Sequence, residues 1–267
     1  MATATAQDHR TPKVDNTGRT HIEFRVLRQE GPDKPSRWET FRIPYRPNMN
    51  VISVLMEIQR NPVNAEGKAV APVTWDSNCL EEVCGSCTMN INGKIRQSCT
   101  ALIDDLPNGF TLEPMKKFPL VRDLQVDRTR FFEDLKRVKP WIPVDGYYDL
   151  GEGPRVSPLV QGTAYVLSTC MTCGCCLEAC PQYGPHSDFV GAAVISQARL
   201  FNLHPTGKAQ APERIEALMQ PGGLEDCGNA QNCVEVCPKE IPLTASIADM
   251  NRQATWYAIK NFFTGNQ

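Results

Sequence analysis

Twelve cysteines are the residues of this 267-residue chain best suited to chemistry, and eleven of them fall into three spaced groups. Clustered thiolates bind soft metals and iron-sulfur clusters, whereas disulfides form in oxidising compartments. Residues 1–16 are polar and lack the apolar core of a secretory signal. We therefore expect a reducing compartment, in which these cysteines bind metal.

The first group has the spacing C-x4-C-x2-C-x11-C and consists of Cys79, Cys84, Cys87 and Cys99. Its first two intervals are those of plant-type [2Fe-2S] ferredoxins. A two-iron cluster needs thiolates that converge from one side, with backbone amides free to donate to sulfur. Gly85 and Ser86 are small enough to let such a loop wrap closely. The group predicts one [2Fe-2S] cluster on its four cysteines.

The second group is a run of the form C-x2-C-x2-C-x3-C-P, made by Cys170, Cys173, Cys176 and Cys180 with Pro181. In bacterial two-cluster ferredoxins the fourth cysteine of this run binds the other cluster, so a second run is required. The third group provides it, with Cys227, Cys233 and Cys237 followed by Pro238. Ala230 stands where the second cysteine of this run belongs.

If the fourth cysteine of each run binds the cluster of the other run, the cysteines of the second half divide between two clusters. The first set predicts a complete [4Fe-4S] cluster on Cys170, Cys173, Cys176 and Cys237. The second set has only Cys180, Cys227 and Cys233, and because alanine cannot bind iron we expect a [3Fe-4S] cluster there, with the higher reduction potential of the two. Cys175, the twelfth cysteine, is interpreted as a buried residue beside the ligands.

Other chemistry has little support in the sequence. Structural zinc is the inert alternative, but nested runs that end in C-P, with one cysteine omitted, fit independent zinc quartets poorly. His21, His186 and His204 lack metal-ligand spacing, and the pairs Lys116-Lys117 and Lys136-Arg137 are interpreted as solvated faces. No catalytic triad, acid-base pair or nucleotide fingerprint is present, so we predict no catalytic residues and an electron relay.

The elements that must position the cysteines differ between the two halves. In the first half, alternation predicts strands around 22–26 and 41–43, a helix over 51–58 capped by Asn50, a tight hairpin at Asn92-Gly93 and a closing strand at 110–112. From Val121 onward strand signals disappear. Helices are predicted from Leu124 to Val138 and over 163–169, 192–203, 212–219 and 243–263, with a surface connector over 140–158.

These patterns predict an α+β organisation. We expect a polar arm at 1–19, a [2Fe-2S] domain of plant-type ferredoxin (β-grasp) fold at 20–120, and an all-α domain like the bacterial two-cluster ferredoxins at 121–267. The net charge of −2 gives no field to recruit nucleic acid. No run of apolar residues is long enough for a membrane span.

With its ligands placed, the sequence resembles the iron-sulfur subunits of succinate dehydrogenase and fumarate reductase from about Thr20 to Phe263. The cluster order with alanine at position 230 carries the resemblance, together with three stretches: Asn-Cys-Leu-Glu-Glu-Val-Cys-Gly-Ser-Cys at 78–87, Arg-Gln-Ser-Cys at 96–99 and Val-Arg-Asp-Leu at 121–124. The chain is most similar to the menaquinone-linked, Gram-positive type.

The resemblance implies partners and further cofactors. A flavoprotein subunit with FAD would oxidise succinate to fumarate, and electrons would pass through [2Fe-2S], [4Fe-4S] and [3Fe-4S] clusters to quinone, here menaquinone, in a membrane-anchor subunit that in some members carries haem. The chain would be a peripheral subunit on the cytoplasmic face of the bacterial cell membrane. Fumarate reduction by the same complex, and an adaptor role for another flavin dehydrogenase, stay open as alternatives.

The sequence departs from ubiquinone-reducing members at two places. Those members carry neighbouring tryptophans after the equivalent of Pro181, where this chain has Gln182-Tyr183-Gly184-Pro185. They also carry a histidine where this chain has Gly228. We therefore expect quinone to bind mainly within the anchor.

Overall fold

A computed structural model describes residues 18–142 and 154–265 of the chain. The chain divides into two compact units, the first containing Met1–Pro114 with Arg122–Gln125, and the second containing Met115–Val121 with Val126–Gln267. The domain limits expected from the sequence, 20–120 and 121–267, remain a prediction.

The first unit is built on a five-stranded mixed sheet. Its elements are β1 (His21–Arg28), β2 (Arg37–Pro44), α1 (Val51–Arg60), β3 (Thr88–Ile91), β4 (Lys94–Gln97) and β5 (Phe110–Glu113), with a 3₁₀ turn at Ile103–Asp105. The strand order is β2-β1-β5-β3-β4. β1 and β5 pair in parallel, and the other neighbours are antiparallel. The strands predicted at 22–26, 41–43 and 110–112 are confirmed.

The core of this unit follows from alternation along β1. Ile22, Phe24 and Val26 are fully buried, while their neighbours face outward. The Phe24 ring stacks on Phe41 and on Phe110, at centroid distances of 6.0 and 5.0 Å. Such aromatic pairs add stability beyond the burial of their area. They join three strands across one face of the sheet.

Two local predictions in this unit are confirmed. The Asn50 side chain accepts a hydrogen bond from the Ser53 backbone amide at 2.8 Å and so caps α1. At the hairpin between β3 and β4, Asn92 and Gly93 have φ values of 51° and 75°, as a type I′ turn requires. The hairpin fixes the register that ends with Cys87 before β3 and Cys99 after β4.

The segment after β5 differs from its prediction. Short strands β6 (Leu120–Arg122) and β7 (Gln125–Val126) form a two-stranded sheet, so the expectation that strands end at Val121 was wrong. The helix predicted from Leu124 begins only at Thr129. Asp123, at φ 47°, turns the chain, and the Asp127 carboxylate accepts the Thr129 amide at 2.8 Å. Polar side chains of this kind favour a turn or cap over helix.

The second unit is helical apart from these short strands. Its helices are α2 (Thr129–Arg137), α3 (Pro158–Ser168), α4 (Cys175–Glu178), α5 (Ala192–Leu203), α6 (Ala211–Met219), α7 (Asn232–Glu235) and α8 (Leu243–Thr264), with 3₁₀ turns at Gly207–Gln210 and Leu224–Asp226. The helices predicted near 163–169, 192–203, 212–219 and 243–263 are confirmed. Most of the predicted connector, 140–158, lies outside the described residues.

The core of the second unit lies between α5 and α8. Ile195 and Ala198 of α5 and Leu243 and Met250 of α8 are buried there. Beyond Ala254 the helix α8 has no buried residue. Within residues 18–142 and 154–265, no helix is both long and apolar enough to cross a bilayer.

Candidate iron-sulfur sites

The loop between α1 and β3 wraps around the Cys79 sulfur. The backbone amides of Glu81, Val83 and Cys84 donate to Cys79 Sγ at 3.4, 3.3 and 3.3 Å. The Cys79 amide donates in return to Cys84 Sγ at 3.5 Å. Leu80 and Glu82, at φ 61° and 54°, make the turns that aim these amides inward. Amide donors of this kind favour the thiolate form and tune a bound cluster.

Two thiols of the first cysteine group, Cys84 and Cys99, differ in pKa. Burial raises the pKa of Cys84, but hydrogen bonds from Cys79 and from the side chain and backbone of Ser86 outweigh it and lower this pKa to about 6. Burial, a hydrogen bond with Cys87, and the charges of Cys87 and Cys79 raise the pKa of Cys99 to about 12. The structure therefore brings the sulfurs of Cys79, Cys84, Cys87 and Cys99 into one neighbourhood.

Buried polar groups fix the positions of Cys87 and Cys99. Ser98 bonds the Cys87 carbonyl through its amide at 3.2 Å and its hydroxyl at 2.7 Å. Thr88 donates to the Gln97 side chain at 2.7 Å across the β3–β4 pair. Because these groups are buried, their mutual hydrogen bonds are needed to avoid a desolvation cost. They fix Cys87 relative to Cys99.

In the second unit, one cavity is lined by thiols from both cysteine runs. Its cysteines are Cys170, Cys173, Cys175, Cys176 and Cys237. Burial and then the charges of Cys173, Cys170 and Cys237 raise the pKa of Cys176 well above its usual value. A hydrogen bond with Cys175 lowers the pKa of Cys173 to about 7, against the effect of burial, and the Arg128 charge contributes to this lowering.

A second cavity is lined by the remaining three cysteines of the two runs. Cys180 of the first run lines it together with Cys227 and Cys233 of the second. Ala230 lies in the same wall. Burial raises the pKa of Cys233, and the charges of Cys180 and Cys227 add to this increase. Three thiols and one methyl group therefore face a common space.

The two cysteine runs share one backbone pattern. Thr172 and Gly174, on either side of Cys173, have φ values of 50° and 85°, and Asn229 and Gln231, on either side of Ala230, have 52° and 66°. The short helices α4 and α7 each begin one residue before the third position of their run, which is Cys176 in the first run and Cys233 in the second. Gln231 adopts the left-handed conformation without being glycine, a strained choice that the repeat requires.

The donor sets suit clusters better than a single ion. In the part of the chain that the structure describes, no three His, Cys, Asp or Glu side chains are placed to hold one metal ion together. In an iron-sulfur cluster the thiolates are distributed over several irons, so they surround a volume. Both cavities have this form. Which cysteine binds which cluster remains a prediction.

The sequence did not indicate that two cations, Lys117 and Arg128, lie near the cavities. Lys117 is half-buried and its Nζ donates to the carbonyl oxygen of Cys180, so its interpretation as part of a solvated face was wrong. Arg128 lies with one guanidinium nitrogen 3.4 Å from the Cys173 carbonyl oxygen. Neither position has a spacing signal, because a side chain that reaches a backbone carbonyl can come from any distance along the chain.

Comparison with known proteins decides the family. Residues 23–133 match the 2Fe-2S iron-sulfur cluster binding domain, and residues 166–241 match the 4Fe-4S dicluster domain. The succinate dehydrogenase iron-sulfur subunit of Bacillus subtilis is 62% identical over 242 residues, which cover 91% of this chain and 96% of that protein. The chain belongs to the succinate dehydrogenase iron-sulfur subunits.

More distant relatives agree with this membership. The fumarate reductase iron-sulfur subunit of Wolinella succinogenes is 31% identical over 86% of this chain and 94% of its own length. Among solved structures, a chain of the Mycobacterium smegmatis Sdh1 complex in the apo form superposes with a TM-score of 0.72 at 22% identity, covering 88% of this chain and 95% of that one. The succinate dehydrogenase iron-sulfur fold, a [2Fe-2S] ferredoxin domain followed by a two-cluster domain, is thereby confirmed.

Proposed function

We propose that this chain relays electrons within a succinate:quinone oxidoreductase, from the FAD of a flavoprotein subunit to a quinone held by a membrane-anchor subunit. The observation that carries the proposal is the 62% identity to a succinate dehydrogenase iron-sulfur subunit along 91% of the chain. The assembly would place the chain on the cytoplasmic face of the bacterial cell membrane.

Eleven cysteines would hold the three clusters. The [2Fe-2S] cluster takes Cys79, Cys84, Cys87 and Cys99; the [4Fe-4S] cluster takes Cys170, Cys173, Cys176 and Cys237; and the [3Fe-4S] cluster takes Cys180, Cys227 and Cys233. The thiols that line the two cavities support the crossed assignment. When bound, each cluster supplies one-electron redox chemistry.

The chain's own backbone amides and apolar side chains shape the sites. Amides of the 79–84 loop donate toward sulfur. In the second unit, Phe131, Ile241 and Leu243 contribute apolar walls to the four-cysteine cavity, and Phe189 and Ile247 do so for the three-cysteine cavity. A dry wall strengthens each charge and dipole that acts on a cluster.

The surface beside the three-cysteine cavity offers little to a quinone, which supports binding in the anchor. Tyr183 is only 2% exposed, under the Arg130 guanidinium at 4.7 Å from its ring. The Gln182 amide nitrogen lies 2.7 Å from the place that a Cβ on Gly228 would take. Gln182 therefore fills the space that a larger residue at position 228 would need.

Purification of the native complex tests the proposal. We expect a flavoprotein with FAD and an anchor subunit to co-purify, with about nine iron atoms and little zinc per chain. Isolation without a flavoprotein and an anchor subunit would favour a free electron carrier over this complex, and zinc in place of iron would end the electron-relay account. Comparing rates of succinate oxidation and fumarate reduction on the same preparation decides between the two directions. A menaquinone analogue and a haem spectrum identify the contents of the anchor.

A further inference from the structure

Two basic residues of the second unit, Lys117 and Arg128, each reach the wall of one cysteine-lined cavity. Lys117 donates to the carbonyl oxygen of Cys180, which lines the three-cysteine cavity. Arg128 Nη1 lies 3.5 Å from the Thr172 carbonyl oxygen and 3.4 Å from that of Cys173, both on the wall of the four-cysteine cavity. Each cation thus contacts the main chain of one cysteine in one cavity.

Both cations are held in place by neighbouring contacts. The backbone amides of Lys116 and Lys117 donate to the Glu178 carboxylate of α4 at 2.8 and 3.0 Å, which fixes Lys117 relative to this helix. Arg128 immediately precedes α2, whose buried Phe131 lines the four-cysteine cavity. Each charge therefore keeps a fixed position relative to its own site.

We propose that Arg128 and Lys117 are positioning residues that raise the reduction potentials of the four-iron and the three-iron cluster respectively, each acting on one cluster. The inference rests on the proposed function, because it assumes that the two cavities hold these clusters. Reduction adds a negative charge to a cluster, and a nearby cation stabilises that charge. Partial burial limits screening by salt, so the effect persists at physiological ionic strength.

We expect the charge of Arg128, more than its hydrogen bonds, to raise the reduction potential of the four-iron cluster. Its hydrogen bonds to the two carbonyls are long, and bonds near 3.5 Å contribute little by themselves. A lysine at this position keeps the charge and loses the planar guanidinium. Arg128→Lys and Lys117→Arg should therefore preserve the potentials, whereas Arg128→Met and Lys117→Met should lower them.

The experiment is a redox titration of the purified complex, followed by electron paramagnetic resonance, on the wild type and these four variants. We expect Arg128→Met to lower the reduction equilibrium constant of the four-iron cluster about tenfold, equivalent to about 59 mV for one electron. Lys117→Met should shift the three-iron cluster in the same direction and leave the four-iron cluster unchanged. Lys136→Met removes an exposed, ion-paired cation of α2 and serves as the matched control, with all midpoints unchanged.

The outcomes separate this inference from the proposed function. If the wild type contains all three clusters and both methionine variants titrate at wild-type potentials, the role of the cations is overturned while the relay stands. The role of the charge would also be overturned if the potential shifted equally in Arg128→Met and Arg128→Lys, or in Lys117→Met and Lys117→Arg. Where a methionine variant loses its cluster, the charge-conserving variant decides: a retained cluster at wild-type potential supports the proposal, and a lowered potential refutes it. Absence of the clusters from the wild type would instead refute the proposed function.

Discussion

Ala230 and Cys173 occupy equivalent places in two turns that share one backbone conformation. Each is preceded by a residue with φ near 50°, Thr172 at 50° and Asn229 at 52°, and each turn continues into a four-residue helix. The second run therefore keeps the turn that presents a ligand but presents a methyl group. A missing side chain, not a different fold, distinguishes the two cavities.

This equivalence predicts that Ala230→Cys restores a four-iron cluster. The new thiol would face the cavity that Cys180, Cys227 and Cys233 already line. Iron per chain should rise by about one, and the signal of the three-iron centre should disappear. Ala230→Ser, which adds a hydroxyl where cysteine would add a thiol, is the control and should retain the three-iron signal. An unchanged signal in the cysteine variant would show that position 230 does not face the cluster.

The crossed assignment predicts that replacing the fourth cysteine of either run impairs the cluster of the other run. Cys237→Ser should impair the four-iron cluster and spare the three-iron one, because Cys237 lines the cavity of Cys170, Cys173 and Cys176. Cys180→Ser should do the reverse. Spectra of both variants, compared with that of the wild type in the same preparation, measure this. If each substitution instead damaged the cluster of its own run, the assignment would be wrong.

Quinone kinetics test the expectation that quinone binds mainly in the anchor. Gln182→Ala removes the amide that lies against Gly228, and Tyr183→Phe removes a hydroxyl from a ring that is almost fully buried. We expect the KM for quinone to change less than about twofold in either variant, since lost ligand contacts typically cost more. An increase of tenfold would place quinone against this chain.

In the first unit, buried Arg28 pairs with two carboxylates, those of Asp123 and Glu39. Asp123, which is 0% exposed, accepts Arg28 Nε at 2.9 Å and the backbone amides of Gln29 and Thr74 at 3.0 Å. Asp123→Asn removes the charge of one of the two carboxylates that pair with Arg28, the other being Glu39 at 2.5 Å. It also places an amide N–H against the donors that Asp123 accepts, so it should destabilise this unit by about 2 kcal/mol. Guanidinium denaturation followed by the visible absorbance of the [2Fe-2S] cluster measures the loss.

The control for this prediction is an ion pair on the surface. Lys68 and Glu66 are 72% and 69% exposed, so Glu66→Gln should leave the denaturation midpoint unchanged. If Asp123→Asn also leaves the midpoint unchanged, the buried pair does not stabilise the unit.

Much of the fold could be predicted from local patterns in the sequence. Alternation located the strands around Phe24 and Phe41, and capping by Asn50 located α1, because these signals act between neighbours in the chain. The strands β6 and β7 were missed. Asp123 lies in the turn between them, and its carboxylate accepts a hydrogen bond from Arg28, 95 residues away in the sequence. A local sequence pattern cannot predict a contact between residues so far apart in the chain.

The candidate sites divide in the same way. Spacing alone grouped the cysteines, because cluster ligands follow fixed short intervals. The contacts of Lys117 with Cys180 and of Arg128 with Cys173 could not be predicted, since each spans more than forty residues and ends on a backbone carbonyl. The sequence therefore predicts the ligands, whereas only the structure identifies the charges around them.

Electron paramagnetic resonance of the oxidised native complex tests the central claim most directly. An oxidised [3Fe-4S] cluster is paramagnetic, whereas the oxidised [2Fe-2S] and [4Fe-4S] clusters are silent. We predict a three-iron signal that integrates to about one spin per chain, from the site where Ala230 faces Cys180, Cys227 and Cys233. A complex that retains its native iron and shows no such signal would contradict the account.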